Sequence, residues 1–163
     1  MKVFTNGCFD IVHVGHLKLL EYCNGLAAPC MGGCVVVGLN SDSSIKKLKG
    51  DGRPINNQED RKYFLESIKF VSEVVIFDED TPYELIKKIK PDIVVKGGDY
   101  DSSITDPGDA RYIVGSDLCK TKVFNLVGDH STTNILKREN PRQYRYPVDE
   151  GYMPSNNNEY IGP

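Results

Sequence analysis

Short apolar runs rich in β-branched residues alternate along this chain with segments patterned as helices, and nothing else in it restricts the fold as much. "KVFT", "CVVVGLN", "EVVIF", "DIVVKGG" and "KVFNLV" read as five strands. "CVVVGLN" is apolar without interruption, as a strand covered on both faces would be. Between the strands, helices are expected from about His16 to Leu26, over "SSIKKLK" with Ser41 or Asp42 as its cap, and from Asn57 through "RKYFLESI". Thr81 and Pro82 look like an N-cap and first helical residue for "YELIKKIK", and "STTNILKRE" reads as a closing helix. Crossovers long enough to hold helices imply an α/β fold, a doubly wound parallel five-stranded sheet with helices on both faces. In such sheets ligands bind beyond the carboxyl ends of the strands. The polar, glycine-rich segments "NGCFD", "NSD", "KGGDY" and "GDHSTT" all fall at those ends, so four loops should converge on one rim.

The chain of 163 residues suits one domain with a real core, expected over 1–139. Residues 140–163 are rich in Pro, Asn and Tyr without periodicity, and read as an extended or disordered tail or an arm pinned by its tyrosines. Twenty basic against 23 acidic residues leave a net charge of −3, which argues against a nucleic-acid or membrane-surface protein. "MKVFTNG" lacks the apolar core of a signal peptide, and runs such as "CVVVGL" are too short to span a bilayer. Five cysteines, an odd number, argue against a disulfide framework; Cys30 and Cys34 read better as free thiols than as half a zinc site. A cytoplasmic protein is expected.

Two histidines three apart, His13 and His16, flank Gly15 where the first helix begins. Metal ligands, core residues or anion binders could be spaced this way. Without nearby Cys or His a zinc site is poorly supported, and two imidazoles at a glycine-rich junction fill a core badly. An anion site fits best: a helix N-terminus offers N–H groups and a positive dipole end, Gly15 allows close approach to the backbone, and both rings can donate to phosphate oxygens.

"GCFDIVHVGH" resembles the signature of the HxGH nucleotidyltransferases. "LNSD", "KKLKGDGRP", "EDR", "EDTP", "PDIVVKGGDY" and "STTNILK" follow in the order found in one branch, the adenylyltransferase half of bacterial ADP-heptose synthases, which acts on D-glycero-D-manno-heptose 1-phosphate. The likeness runs from Lys2 to Arg138. It implies a Rossmann-like fold of nucleotidyltransferase type, and attack of a sugar 1-phosphate on the α-phosphorus of ATP with release of pyrophosphate. In that reading His13 and His16 stabilise charge at the α-phosphate and the bridging oxygen, together with Lys49. Cys8, Phe9, Gly15, Gly97, Asp99, Ser131, Thr132 and Thr133 serve the nucleotide, the hydroxyl-bearing trio at the β- and γ-phosphates and Asp99 at the ribose. Asp10, Lys46, Arg53 and Arg61 serve the acceptor. Arg61 could equally pair with Glu66 or another carboxylate. Asp10 should orient a histidine or lysine, or bond a sugar hydroxyl, because a carboxylate repels phosphate. Mg²⁺ would arrive with ATP without dedicated protein ligands. The resemblance also implies a homodimer.

Two segments depart from the branch. "EYCNGLAAPCMGGCVVVG" carries extra Gly, Pro and Cys, which implies an altered turn on the rim opposite the site. "DYDSSITDPGDARYIVGSDLCK" is long and polar and could alter acceptor choice. A cytidylyltransferase acting on glycerol 3-phosphate or another alcohol phosphate shares the chemistry, although "NLVGDH" lacks the arginine that some glycerol-phosphate enzymes carry before "STTNI". A nucleotide-binding sensor without turnover is the reading from a different class.

Overall fold

The computed structural model describes residues 1–28, 30–98 and 100–125. Asp99, Ser131, Thr132, Thr133, the expected closing helix and the 140–163 tail lie outside them. Along the chain run β1 (Lys2–Gly7), α1 (Val14–Ala27), β2 (Cys34–Asn40), α2 (Asp42–Lys49), α3 (Gln58–Glu66), β3 (Glu73–Phe77), α4 (Tyr83–Ile89), β4 (Ile93–Gly97) and β5 (Lys120–Phe124). The strands form one sheet in the order β3-β2-β1-β4-β5, with every pairing parallel. The order reverses between β1 and β4, so the crevice for a ligand opens beside the carboxyl end of β1.

Side-chain alternation along the strands separates two cores. Val3, Val35, Val37, Leu39, Val74, Ile93 and Val95 pack under α1 and α3 with Leu19, Leu20, Cys23 and Leu65. Phe4, Val36, Phe77 and Val94 face the other way, against Leu85 and Ile86 of α4 and Ile113. Helices therefore cover both faces. Each fully buried Leu, Ile, Val or Phe contributes about 1.5–3 kcal/mol relative to exposure. That gain holds the sheet beneath a rim of polar loops.

Local signals explain most helix ends. Ser41 Oγ accepts from Ser44 N to start α2, and Asn57 Oδ1 accepts from Asp60 N to start α3. The expected cap at α4 is displaced by one residue. Pro82, not Thr81, holds the cap position, because its ψ of 12° lies outside the helix, and no side chain closes that end. Lys90 ends α4 in the left-handed region, and the following Pro91 disfavours a helical conformation there. β5 begins at Lys120, two residues before the apolar run suggested. In the altered turn between α1 and β2, Gly33 passes so close to Ala27 that a Cβ would lie 2.0 Å from the carbonyl oxygen.

Candidate functional site

α1 starts at Val14, which makes His13 its N-cap and sets His16 one turn into the helix. The two imidazoles cap this end reciprocally. Gly15 N–H donates to His13 Nδ1 at 3.2 Å, and His13 N–H donates to His16 Nδ1 at 3.3 Å. The ring centroids are 3.9 Å apart. With its Nδ1 accepting, the neutral His16 ring carries its proton on Nε2. The hydrogen bonds thus choose the tautomer that can donate to an oxyanion. The N–H of Gly15 is itself spent on His13, so the backbone donor expected to greet an anion there is already engaged.

His16 stays neutral. Burial, followed by the charges of His13 and Lys49, lowers its pKa to about 4. The coupling also places Lys49, at the end of α2, within electrostatic reach of the imidazole. Phe9 packs its ring 4.9 Å from that of His16 and is itself buried. Its φ of 45° is a left-handed conformation that a bulky residue seldom adopts, and such strain persists only where surrounding contacts enforce it. Phe9, expected at the nucleotide, places its ring beside that of His16.

Arg61 takes the carboxylate-paired alternative, with Asp42 as its partner, and Asp10 turns to a backbone loop and an arginine. Arg61 is 2% exposed. Its Nε donates to Asn56 O, its Nη1 to Cys8 O and Asn40 O, and its Nη2 to Asp42 Oδ1 at 2.7 Å. It ties the loops after β1 and β2 to the approach to α3, with no part played by Glu66. This guanidinium is committed to the protein and is not a free cation for an acceptor. Asp10 orients neither a histidine nor a lysine: Oδ1 accepts from Ile55 N and Asn56 N, and Arg53 Nε lies 3.0 Å from Oδ2. That last contact is an ion pair without hydrogen-bond alignment, since Oδ2 and Arg53 Nη1 are both buried and unmatched by a hydrogen-bond partner among the described residues. Asp10 and Arg61 border a cavity of about 310 Å³ with Phe9, Val12, Asn56 and Phe64.

Lys46 lies on the surface, 3.2 Å from Asp51. Cys8 gives its carbonyl to Arg61, and all five cysteines are free. Gly97 ends β4 against Leu19, where a Cβ would come within 3.4 Å of Cδ2. Of the expected residues, the structure brings together His13, His16, Phe9, Gly15 and Lys49, and separately Asp10 with Arg53. Two polar residues had not been singled out. Asn56 donates its Nδ2–H to Asp10 O, and Lys96 is buried in β4. The signal for Lys96 was legible as the one cation in the run "DIVVKGG".

A family model described as cytidylyltransferase-like matches residues 4–144. The chain belongs to the cytidylyltransferase-like family. Over 137 residues it is 53% identical to the "Bifunctional protein HldE" of Aliarcobacter butzleri, covering 83% of this chain and 26% of that protein. The proteins of that name from Nitratiruptor sp. (53%) and Wolinella succinogenes (48%) match over the same length. The chain spans about a quarter of the length of these curated relatives. Among solved structures, a lipopolysaccharide core biosynthesis protein from Thermoplasma volcanium superposes with a TM-score of 0.59 at 22% identity, covering 80% of this chain and 98% of that one. A macrolide-efflux protein from Streptococcus pneumoniae superposes with a TM-score of 0.58 at 23% identity, over 82% of this chain and 50% of that one. Both likenesses concern the fold. The fold is thus shared beyond this chain. Among the described residues no helix is long and apolar enough to cross a membrane.

Proposed function

We propose that the chain transfers AMP from ATP to a sugar 1-phosphate, with D-glycero-D-manno-heptose 1-phosphate as the expected acceptor. An acceptor phosphate oxygen attacks the α-phosphorus, the new P–O bond forms in line, and pyrophosphate leaves with the electron pair of the broken bond. The acceptor is already anionic at neutral pH, so neither a covalent intermediate nor a general base is required. Catalysis then rests on positioning and charge stabilisation. The observation that carries the reading is the reciprocal histidine cap. It leaves Nε2–H of His16 as a neutral, preorganised donor at a helix start. Lys49 adds positive charge beside it. Ser131, Thr132 and Thr133 would take the β- and γ-phosphates, Asp99 the ribose, and Lys46 and Arg53 the acceptor.

Mg²⁺ is expected as the counter-ion of the triphosphate. Asp10 and Asp42 are tied to Arg53 and Arg61 and do not form a cation site, so no step is routed through a protein-held metal. A homodimer belongs to the same reading, with exposed Ile55, Tyr63 and Phe64 as apolar surface for it. The 53% identity to proteins named HldE supports the heptose-phosphate adenylyltransferase reading. Pyrophosphate release with each of ATP, CTP, GTP and UTP, with and without heptose 1-phosphate, tests the proposal. Release confined to ATP plus the heptose is the expected result. Release with CTP and an alcohol phosphate, or no release with any acceptor, would overturn it.

A further inference from the structure

β1 and β4 pair only at Val3↔Ile93 and Phe4↔Val94. β1 nevertheless stays paired with β2 as far as Gly7↔Leu39, and β4 with β5 as far as Gly97↔Phe124. Past Phe4 and Val94 the two halves of the sheet therefore part toward the carboxyl edge. Extending the register by two residues sets Asn6 across from Lys96. Alternation directs both side chains to the face of Phe4 and Val94, opposite α1. Gly38 keeps β2 clear on the same face, since a Cβ there would come within 3.1 Å of Asn6 Cβ and 2.7 Å of the Phe4 ring.

The polar atoms flanking this split have no hydrogen-bond or ion-pair partner among the described residues. Lys96 is 9% exposed and belongs to none of the ion pairs among the described residues. Its ammonium sits 5.0 Å from the centroid of the Tyr100 ring. Asn6 Oδ1 is buried and has no hydrogen-bond partner among the described residues. A buried cation or amide oxygen is costly unless something completes it. Arg61, by contrast, shows how this fold treats a structural cation, with four hydrogen bonds to protein oxygens.

We propose that Asn6 and Lys96 form the recognition pair for the acceptor, the ammonium donating to a phosphate or ester oxygen and Asn6 Oδ1 accepting from a neighbouring hydroxyl. This rests on the nucleotidyl-transfer reading above and deepens it. A donor and an acceptor flanking one split fit an anionic oxygen next to a hydroxyl, as at C1 and C2 of a sugar 1-phosphate, with the Tyr100 ring beside the ammonium. A nucleotide ribose also presents adjacent oxygens. It is neutral, however, and a buried cation suits the charged acceptor better.

The variants are Lys96→Met, Lys96→Arg and Asn6→Leu, read by pyrophosphate release and by calorimetric binding of mannose 1-phosphate and of ATP separately. Lys96→Met should weaken the sugar phosphate by about 10–100-fold, the weight of a hydrogen bond to a charged group, and leave ATP binding within about twofold. Lys96→Arg should restore part of the loss, and Asn6→Leu should weaken the sugar phosphate by roughly tenfold. The melting temperature of Lys96→Met should not fall, because an unpaired buried charge has been removed. Unchanged sugar-phosphate affinity in Lys96→Met overturns the proposal. So does a loss borne by ATP, which would mark a ribose reader, or a lower melting temperature with binding intact, which would mark a structural lysine. If the parent protein releases no pyrophosphate with any acceptor, the activity reading fails by itself. Calorimetry still decides the pocket: mannose 1-phosphate binding that Lys96→Met abolishes supports it, and equal or absent binding in both proteins refutes it.

Discussion

His16 combines two demands that usually conflict, since it must be buried to act in a low-dielectric site and polar enough to donate. The fold reconciles them by keeping the ring neutral and giving its Nδ1 a backbone N–H. Replacing His16 with Ala should lower pyrophosphate release by about 10²–10³-fold, as in comparable oxyanion sites, with ATP affinity largely kept. Single-turnover rates and equilibrium ATP binding separate the two effects. The same histidine sets a pH signature. Its folded pKa, about 4, is below the ordinary 6.5, so between those values the unfolded chain binds the extra proton and stability falls as pH falls. His16→Gln should flatten that decline by roughly 1–3 kcal/mol between pH 6.5 and 4, measured by urea unfolding. Lys96 works in the opposite pH range: burial lowers its pKa to about 8, so stability should rise as pH increases from 8 toward 10.5. Lys96→Met should abolish that rise.

At the scale of elements, the site is a set of loops held in register by Arg61. The helix and strand that flank each loop are stabilised by burial, but loop conformation needs its own ties. Arg61 supplies them to the carbonyls of Cys8, Asn40 and Asn56. Arg61→Met should cost about 3 kcal/mol, because it strands three carbonyls and Asp42, and denaturant melts will measure it. Lys would not replace it, having no planar fork to reach several carbonyls at once. On the other rim, Gly33→Ala would drive a methyl into the Ala27 carbonyl, so the turn between α1 and β2 must move. That variant should lower the melting temperature markedly and leave the ATP Kd unchanged.

At the largest scale, one sheet separates two cores that share no side chains among the described residues. Leu20 packs inward from α1 and Ile86 from α4, on opposite faces of the sheet. Leu20→Ala and Ile86→Ala should each cost about 2–5 kcal/mol, and the double variant should equal their sum within about 0.5 kcal/mol. Coupling beyond that would mean that the cores communicate through the sheet. The five strands, the parallel α/β class, a cap for α2 at Ser41 or Asp42 and the start of α3 near Asn57 were legible in the chain, because periodicity and capping act over a few neighbouring residues. The histidine pair at the start of α1 was legible for the same reason, since His13, Gly15 and His16 are local to one turn. What local sequence does not encode is who satisfies whom across the fold. "EDR" left Arg61 open between ligand and carboxylate, and 53 residues separate it from the Cys8 carbonyl that it holds. Asp10 looked like a partner for a histidine or lysine until the chain returned Arg53, Ile55 and Asn56 to it. Asn6 and Lys96 fall opposite one another only through the parallel register of β1 and β4, strands far apart in the chain. Periodicity and caps are properties of contiguous chain; burial and the pairing of polar groups depend on distant segments meeting, and only the tertiary structure decides those.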